Sequence, residues 1–271
     1  PYLMKKHRAG ARIGHDTAYD HMMLDGLEDA YEPGKAMGVF AEGTAREYQF
    51  TREAQDAYAI ESLTRARKAQ ASGWFEREIA PVEVATRKGS ETVAQDEQPL
   101  KSDPSKIPGL RPAFLKDGTI TAANASSISD GAAALLLAPA SVAEAKGLKA
   151  VARIVGHTAH ARLPAHFTTA PIGAIEKLLA KTGWRVEDVD LFEINEAFAC
   201  VTMAAMHDLA IPHEKVNIHG GATALGHPVG ASGARIVATL LSALERTGGK
   251  RGIASLCIGG GEATAIAVEL L

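Results

Sequence analysis

An α/β layered fold, with a mixed five-stranded sheet flanked by helices and an α+β region beside it, is the architecture this sequence predicts. Three observations lead there. Beyond residue 150, short apolar runs of strand length alternate with helical patterns, the arrangement that buries a sheet between helices. The last two runs are joined only by Gly259, Gly260, Gly261 and Glu262, too few residues for a crossover, so they should be antiparallel neighbours in a mixed sheet. The 271 residues are 46% apolar but only 5% aromatic, and rich in Ala and Gly, which suits tightly packed α/β layers better than a β-sandwich.

Taken in chain order, residues 1 to about 120 are charged and helical in character. Thr51 reads as the N-cap of a helix running to Gln70, with Ala54, Ala57, Tyr58, Glu61 and Arg65 at helical spacing. Residues 79–84 form a short extended run. The polar stretch that follows, through Arg111, reads as loop around Lys88-Gly89-Ser90 and Asp103-Pro104-Ser105-Lys106. The apolar run 132–138 fits helix and strand equally by periodicity. The five strands are then expected at 150–156, 190–194, 216–218, 253–258 and 263–270, with helices at 173–182, 197–209 and 232–247.

A net charge of -3 offers no general attraction to nucleic acid or to an anionic membrane, and no apolar stretch is long enough to span a bilayer. The only two cysteines, Cys200 and Cys257, do not suggest a disulfide framework, which favours a reducing, cytoplasmic setting. No metal site is expected, because the ten histidines are scattered without ligand spacing. The opening Pro1-Tyr2-Leu3-Met4 does not read as a natural start, which predicts further sequence upstream.

Three stretches carry chemistry, each where a strand or loop meets a helix. In Asn195-Glu196-Ala197-Phe198-Ala199 the two polar residues at the corner could cap the next helix and also hold a water; alone, the capping role is the simpler reading. Between positions 220 and 233 lie five glycines, with His227 pinned between Gly226 and Pro228. Glycines there allow close backbone approach to a ligand, but no Gly-Lys-Ser/Thr follows to make a nucleotide loop. In Leu256-Cys257-Ile258-Gly259-Gly260-Gly261 a cysteine ends a strand beside exposed backbone N–H groups, which can stabilise an oxyanion; elsewhere such a cysteine is an inert core residue, as Cys200 is expected to be.

In this order and spacing the three stretches resemble the thiolase family. Leu110-Arg111-Pro112-Ala113-Phe114, Asn124-Ala125-Ser126, Asp130-Gly131-Ala132 and Ala36-Met37-Gly38 extend the likeness over essentially the whole chain. The resemblance implies a thiolase-like layered fold and acetyl-CoA C-acyltransferase chemistry: reversible Claisen condensation of two acetyl-CoA into acetoacetyl-CoA plus CoA. A broad-chain 3-ketoacyl-CoA thiolase and a non-catalytic acyl-CoA-binding module are the alternatives. It also implies that the acyl-accepting cysteine has no counterpart here, so that this chain alone is inactive.

For the residues present, the resemblance implies that Cys257 moves the α-proton, that His227 activates the nucleophile, that Asn195 fixes a water in an oxyanion hole, and that Gly259 donates a backbone N–H to a second hole. Ser126 would contact the pantetheine arm, and Leu27, Met37, Phe114, Ala122, Ala197 and Phe198 would line the tunnel or acyl pocket. Phe167 stands where many short-chain members carry Met, and Ala36 where some carry His. Lys101, Lys106 and Arg111 are candidates to meet the CoA phosphates. Residues 1–122 would be the loop domain, 123–149 the last segment of the N-terminal domain and 150–271 the C-terminal domain. Coenzyme A enters as substrate with no separate cofactor, and the partners implied are acyl-CoA and further copies of the chain in a dimer or tetramer. Apolar surface should be exposed where the rest of an N-terminal domain would pack.

Overall fold

The structure, a computed structural model, describes residues 1–87 and 89–271. A four-stranded sheet lies at its centre, made of β1 (Ala152–Ala161), β2 (Leu191–Ile194), β3 (Arg251–Ile258) and β4 (Glu262–Leu270), in the order β1-β4-β3-β2. β4 pairs antiparallel with both β1 and β3, while β2 runs parallel to β3. The three-glycine connection makes the expected tight hairpin, with Ile258 opposite Glu262. Gly261 sits at φ 102, and a Cβ there would meet the Arg162 carbonyl at 2.6 Å. Only glycine fits that turn.

Side chains alternate across β2 and select its two layers. Phe192 and Ile194 face α3 (Ala170–Thr182) and α4 (Ala199–Asp208), in a core with Ile175, Leu178, Ala204 and Ile253. Leu191 faces α5 (Ser232–Thr247) on the other side, with Ile236, Leu240, Leu244, Ala254 and Val268. The helix expected at 232–247 has those limits, and Gly248 at φ 74 closes it in the left-handed conformation.

The sheet has four strands rather than five. Residues 216–218 contribute a single parallel bridge between Phe192 and Val216. The reason is Asn217, whose φ of 47 breaks the strand. Its side chain takes over the pairing: Oδ1 accepts from the Ile194 N–H at 2.9 Å and Nδ2 donates to the Ile194 carbonyl at 2.8 Å. At the opposite edge, Lys177 and Lys181 of α3 donate to the β1 carbonyls of Ala159 and His157, at 3.3 and 3.0 Å.

The first region supplies α1 (Met37–Glu47) and α2 (Arg52–Ala71). Thr51 caps α2 as expected, its side chain accepting from the Ala54 N–H. The extended run expected at 79–84 is the first strand of a hairpin whose second strand lies in the stretch read as loop: Val82–Thr86 pairs antiparallel with Gly89–Val93, and both strands are exposed throughout. The second strand, polar from Gly89 to Thr92, has no apolar alternation to announce it. Lys88, read as part of that loop, lies outside the described residues. The ambiguous run 132–138 forms neither helix nor strand, and Leu136 and Leu137 are 87% and 68% exposed. An open apolar groove of about 400 Å³ beside α5 is lined by Leu135, Val237, Leu256 and Ile266, among others.

Candidate active site

The site is assembled at the C-terminal ends of the parallel pair β2 and β3, where α/β folds place their ligands. Asn195 follows β2 directly, and its N–H donates to the Ser255 carbonyl of β3 at 2.9 Å. The chain then turns, and a short extended segment pairs with it: the Ser126 N–H and Oγ both donate to the Ala197 carbonyl at 3.0 Å. Next along that segment, the His227 N–H donates to the Ser127 carbonyl at 3.0 Å. Residues 124–128 are thus a seam joining the Asn195 turn to the His227 turn.

His227 lies between two polar side chains. Its Nε2 is 3.3 Å from Asn195 Nδ2, and its Nδ1 is 2.6 Å from Ser232 Oγ. Burial, assisted by the Arg235 guanidinium, lowers its pKa to about 4. The imidazole is therefore neutral at neutral pH and able to accept a proton. Asn195 is 1% exposed, and its Oδ1 has no protein hydrogen-bond partner.

Cys257 belongs to an apolar cluster with Phe40, Phe167, Ala197, Phe198 and Cys200, with Met37 against it. Burial pushes its thiol up to about 12, against a smaller opposing effect of a backbone hydrogen bond. Among the described residues no cation or imidazole offsets the desolvation. Cys200 is fully buried in the same cluster, and burial raises its thiol as well. Gly259 is at the hairpin turn, where a Cβ would lie 2.9 Å from Met37 Sδ. Phe114 packs edge-on against Phe198 at 6.0 Å and lies over Gly38.

The remaining candidates are less gathered. Leu27 is half-buried in a π-helical turn, Met23–Leu27, outside the cluster, and Ala122 is exposed. Lys101 and Lys106 are exposed beside Glu97 and Asp103, and Arg111 is exposed too.

Glu196 departs from the capping role. The N-cap of α4 is Phe198, with no side-chain bond, and Glu196 instead accepts five hydrogen bonds. Its donors are Tyr58 Oη and Ser62 Oγ of α2, Asn217 Nδ2, and the N–H and Oγ1 of Thr223, at 2.7 to 3.0 Å. Gly221 lies against this carboxylate so closely that no Cβ fits. Sequence reasoning gave no role to Ser232, Tyr58, Ser62 or Asn217, and the one available signal was an Asn three residues before the first glycine of the turn.

Comparison with known proteins completes the picture. Residues 1–141 match the family model described as thiolase, N-terminal domain, and residues 148–270 match thiolase, C-terminal domain. The chain belongs to the thiolase family. Among thiolase relatives it is 47% identical, over 100% of its length, to a probable acetyl-CoA acetyltransferase of Dictyostelium discoideum, and 49% identical, over 97%, to the cytosolic acetyl-CoA acetyltransferase of Mus musculus. It spans 66% of the length of each. Among solved thiolase structures, the acetyl-CoA acetyltransferase of Bacillus anthracis superposes with a TM-score of 0.95 at 42% identity, covering 100% of this chain and 68% of the other. Human mitochondrial 3-ketoacyl-CoA thiolase gives 0.91 at 35%, with 100% and 69% covered. A thiolase of Ascaris suum in complex with coenzyme A gives 0.89 at 40%, with the same coverage. Among the described residues, no helix is long and apolar enough to cross a membrane, and no group of three or more His, Cys, Asp or Glu is placed to hold a metal ion.

Proposed function

We propose that this chain supplies His227, Asn195, Cys257 and Gly259 to an acetyl-CoA C-acetyltransferase site, which condenses two acetyl-CoA into acetoacetyl-CoA and CoA or runs the thiolytic reverse. The observation that supports it most is the neutral, half-buried His227 held between Asn195 and Ser232. In condensation an acyl group waits as a thioester on a nucleophilic cysteine that neither Cys200 nor Cys257 provides. Cys257, as its thiolate, takes the α-proton of the second acetyl-CoA and becomes a thiol, the enolate carbon attacks the thioester carbonyl, and the C–S bond breaks with its sulfur leaving as the thiolate of the acyl-bearing cysteine. In thiolysis the same sulfur returns the proton, and a thiol with its pKa pushed up to about 12 is already in the form that gives one. The enolate oxygen is received beside His227 and Asn195, and the acyl oxygen at the Gly259 N–H.

Coenzyme A acts as substrate in this reading, with no further cofactor. The apolar side chains of Met37, Phe114, Ala197 and Phe198, beside Ser126, suit the pantetheine arm, while Leu27 and Ala122 have less support. The division into a loop domain at 1–122, an N-terminal-domain segment at 123–149 and a C-terminal domain at 150–271 belongs to the same proposal. So do assembly into a dimer or tetramer and a cytosolic setting, the latter by analogy with the mouse and rat relatives named cytosolic.

The test is CoA-dependent cleavage of acetoacetyl-CoA and of a long-chain 3-oxoacyl-CoA. It is run on this chain alone and on the chain extended to the length of its relatives with a cysteine-bearing segment. Activity only in the extended protein, confined to the short substrate, is expected. Equal or faster cleavage of the long substrate would favour a broad-chain 3-ketoacyl-CoA thiolase, and loss of both would leave only acyl-CoA binding.

A further inference from the structure

We infer that Ser232 is a positioning residue: it locks His227 in the tautomer that carries its proton on Nδ1 and leaves Nε2 bare toward Asn195. This rests on the reading of His227 as the base of the proposed reaction.

Two contacts that share no atom outside the imidazole lead to the same tautomer. Ser232 Oγ lies 2.6 Å from His227 Nδ1 and 3.1 Å from the Pro228 carbonyl. A carbonyl can only accept, so the single hydroxyl proton is directed to Pro228, and the serine oxygen has only lone pairs left for the imidazole. Both contacts are hydrogen bonds at once only if Nδ1–H is the donor. On the other side of the ring, Asn195 Nδ2 stands 3.3 Å from Nε2. An amide nitrogen can only donate, so Nε2 must be the accepting nitrogen.

The surroundings make this arrangement rigid. Ser232 is fully buried at the first turn of α5, and Pro228 is held by the same turn, the Ser232 and Ala231 N–H groups both donating to its carbonyl. Burial, with Arg235 three residues along α5, disfavours the imidazolium, so one proton is shared between two nitrogens and its location has to be chosen. With Nδ1–H committed to Ser232, the same contact serves the neutral ring and the imidazolium, and only Nε2 changes when a nucleophile gives up its proton. A base oriented by a third group is the logic of nucleophilic triads. Here the orienting group is a hydroxyl on the helix that begins beside the ring.

The decisive measurement needs no activity. Nitrogen-15 NMR of the histidine-labelled 271-residue chain at pH 7, with His227 assigned by comparison with His227→Gln, should show an N–H signature at Nδ1 and a bare-nitrogen signature at Nε2. Ser232→Ala should give a mixture of tautomers, and Ser232→Thr should restore the single form. In the extended protein Ser232→Ala should lower kcat by about 10–100-fold, the size of loss known when the partner orienting a metal-bound histidine is removed, with KM little changed. An Nε2–H signature in the unmodified chain, a Ser232→Ala spectrum identical to it, or full activity of that variant would overturn the inference. Failure of the extended protein to cleave acetoacetyl-CoA would instead count against the proposed function, and the spectrum would still decide the tautomer.

Discussion

Glu193 and Glu196 stand three residues apart on the same strand and turn, and both are almost completely buried, yet their surroundings are opposites. Glu196 points toward α2 and the glycine-rich turn, where five donors surround it. Glu193 shares the α5 face of β2 with Leu191, and its nearest cation, Arg235, is 3.8 Å away, beyond hydrogen-bond reach. Burial raises the Glu193 carboxyl to about 8, Arg235 opposes this, and Glu78 and Glu196 add to it. The difference teaches that donors, rather than depth or one nearby guanidinium, decide whether a buried carboxyl has its needs met.

The largest expected break is Glu196→Ala. It strands Tyr58, Ser62, Asn217 and Thr223 without their acceptor, and several buried donors left unmet should cost about 4 kcal/mol in urea unfolding. The same variant should uncouple α2 from the Asn195 turn, visible as faster amide exchange at Gly221 and Thr223.

Glu193→Gln should behave otherwise, with an effect that depends on pH. The unfolded chain releases this proton near 4.5 and the folded chain near 8, so folding holds an extra proton in between and stability falls as pH rises through that window. Glutamine removes that slope. The variant should gain on the unmodified protein by about 1–3 kcal/mol between pH 5 and pH 8, because a fully retained proton makes stability fall by at most roughly 1.4 kcal/mol for each step of one in pH. Glu78, raised by burial to about 7, keeps part of the slope. His219 and His227, lowered to about 4 mainly by burial, contribute with the opposite sign, their stability being lost as pH falls from 6.5 toward 4. No change in the Glu193→Gln difference across pH would mean that the carboxyl is ionised throughout.

Tyr58→Phe is the finest probe. It removes one donor of five and leaves the ring stacked on His213 at 5.1 Å, so the cost should be about 1 kcal/mol. A loss as large as that of Glu196→Ala would mean that the network stands or falls as a unit.

How far the sequence could be read follows the same division between local and distant causes. The helix at 232–247 was legible to both ends because an amphipathic pattern and a terminal glycine lie within one stretch of chain. The motifs around His227, Asn195 and Cys257 stand out in the sequence, and the fold places them at the C-terminal ends of two adjacent strands or in the turn joined to them. The role of Glu196 was not legible, since its α2 donors are 134 and 138 residues away, and a local reading offered a cap or a water site. The fifth strand was over-read because Val216, Asn217 and Ile218 have strand composition, while the left-handed turn at Asn217 is fixed by contacts to Ile194. Of the hairpin at 82–93 only the second strand was missed, because its polar, exposed residues leave no burial pattern.

The carboxamide of Asn217 and the ammonium groups of Lys177 and Lys181 have a consequence for the sheet's two outer margins. A bare β-edge is a template on which any extended chain can add itself. At one margin the backbone of Ile194 is already engaged by Asn217, and at the other alternate carbonyls of β1 are occupied by charged lysines. Strand addition from a neighbouring molecule is therefore discouraged at both margins, at one by a side-chain amide beside a single backbone bridge and at the other by lysines reaching over from α3.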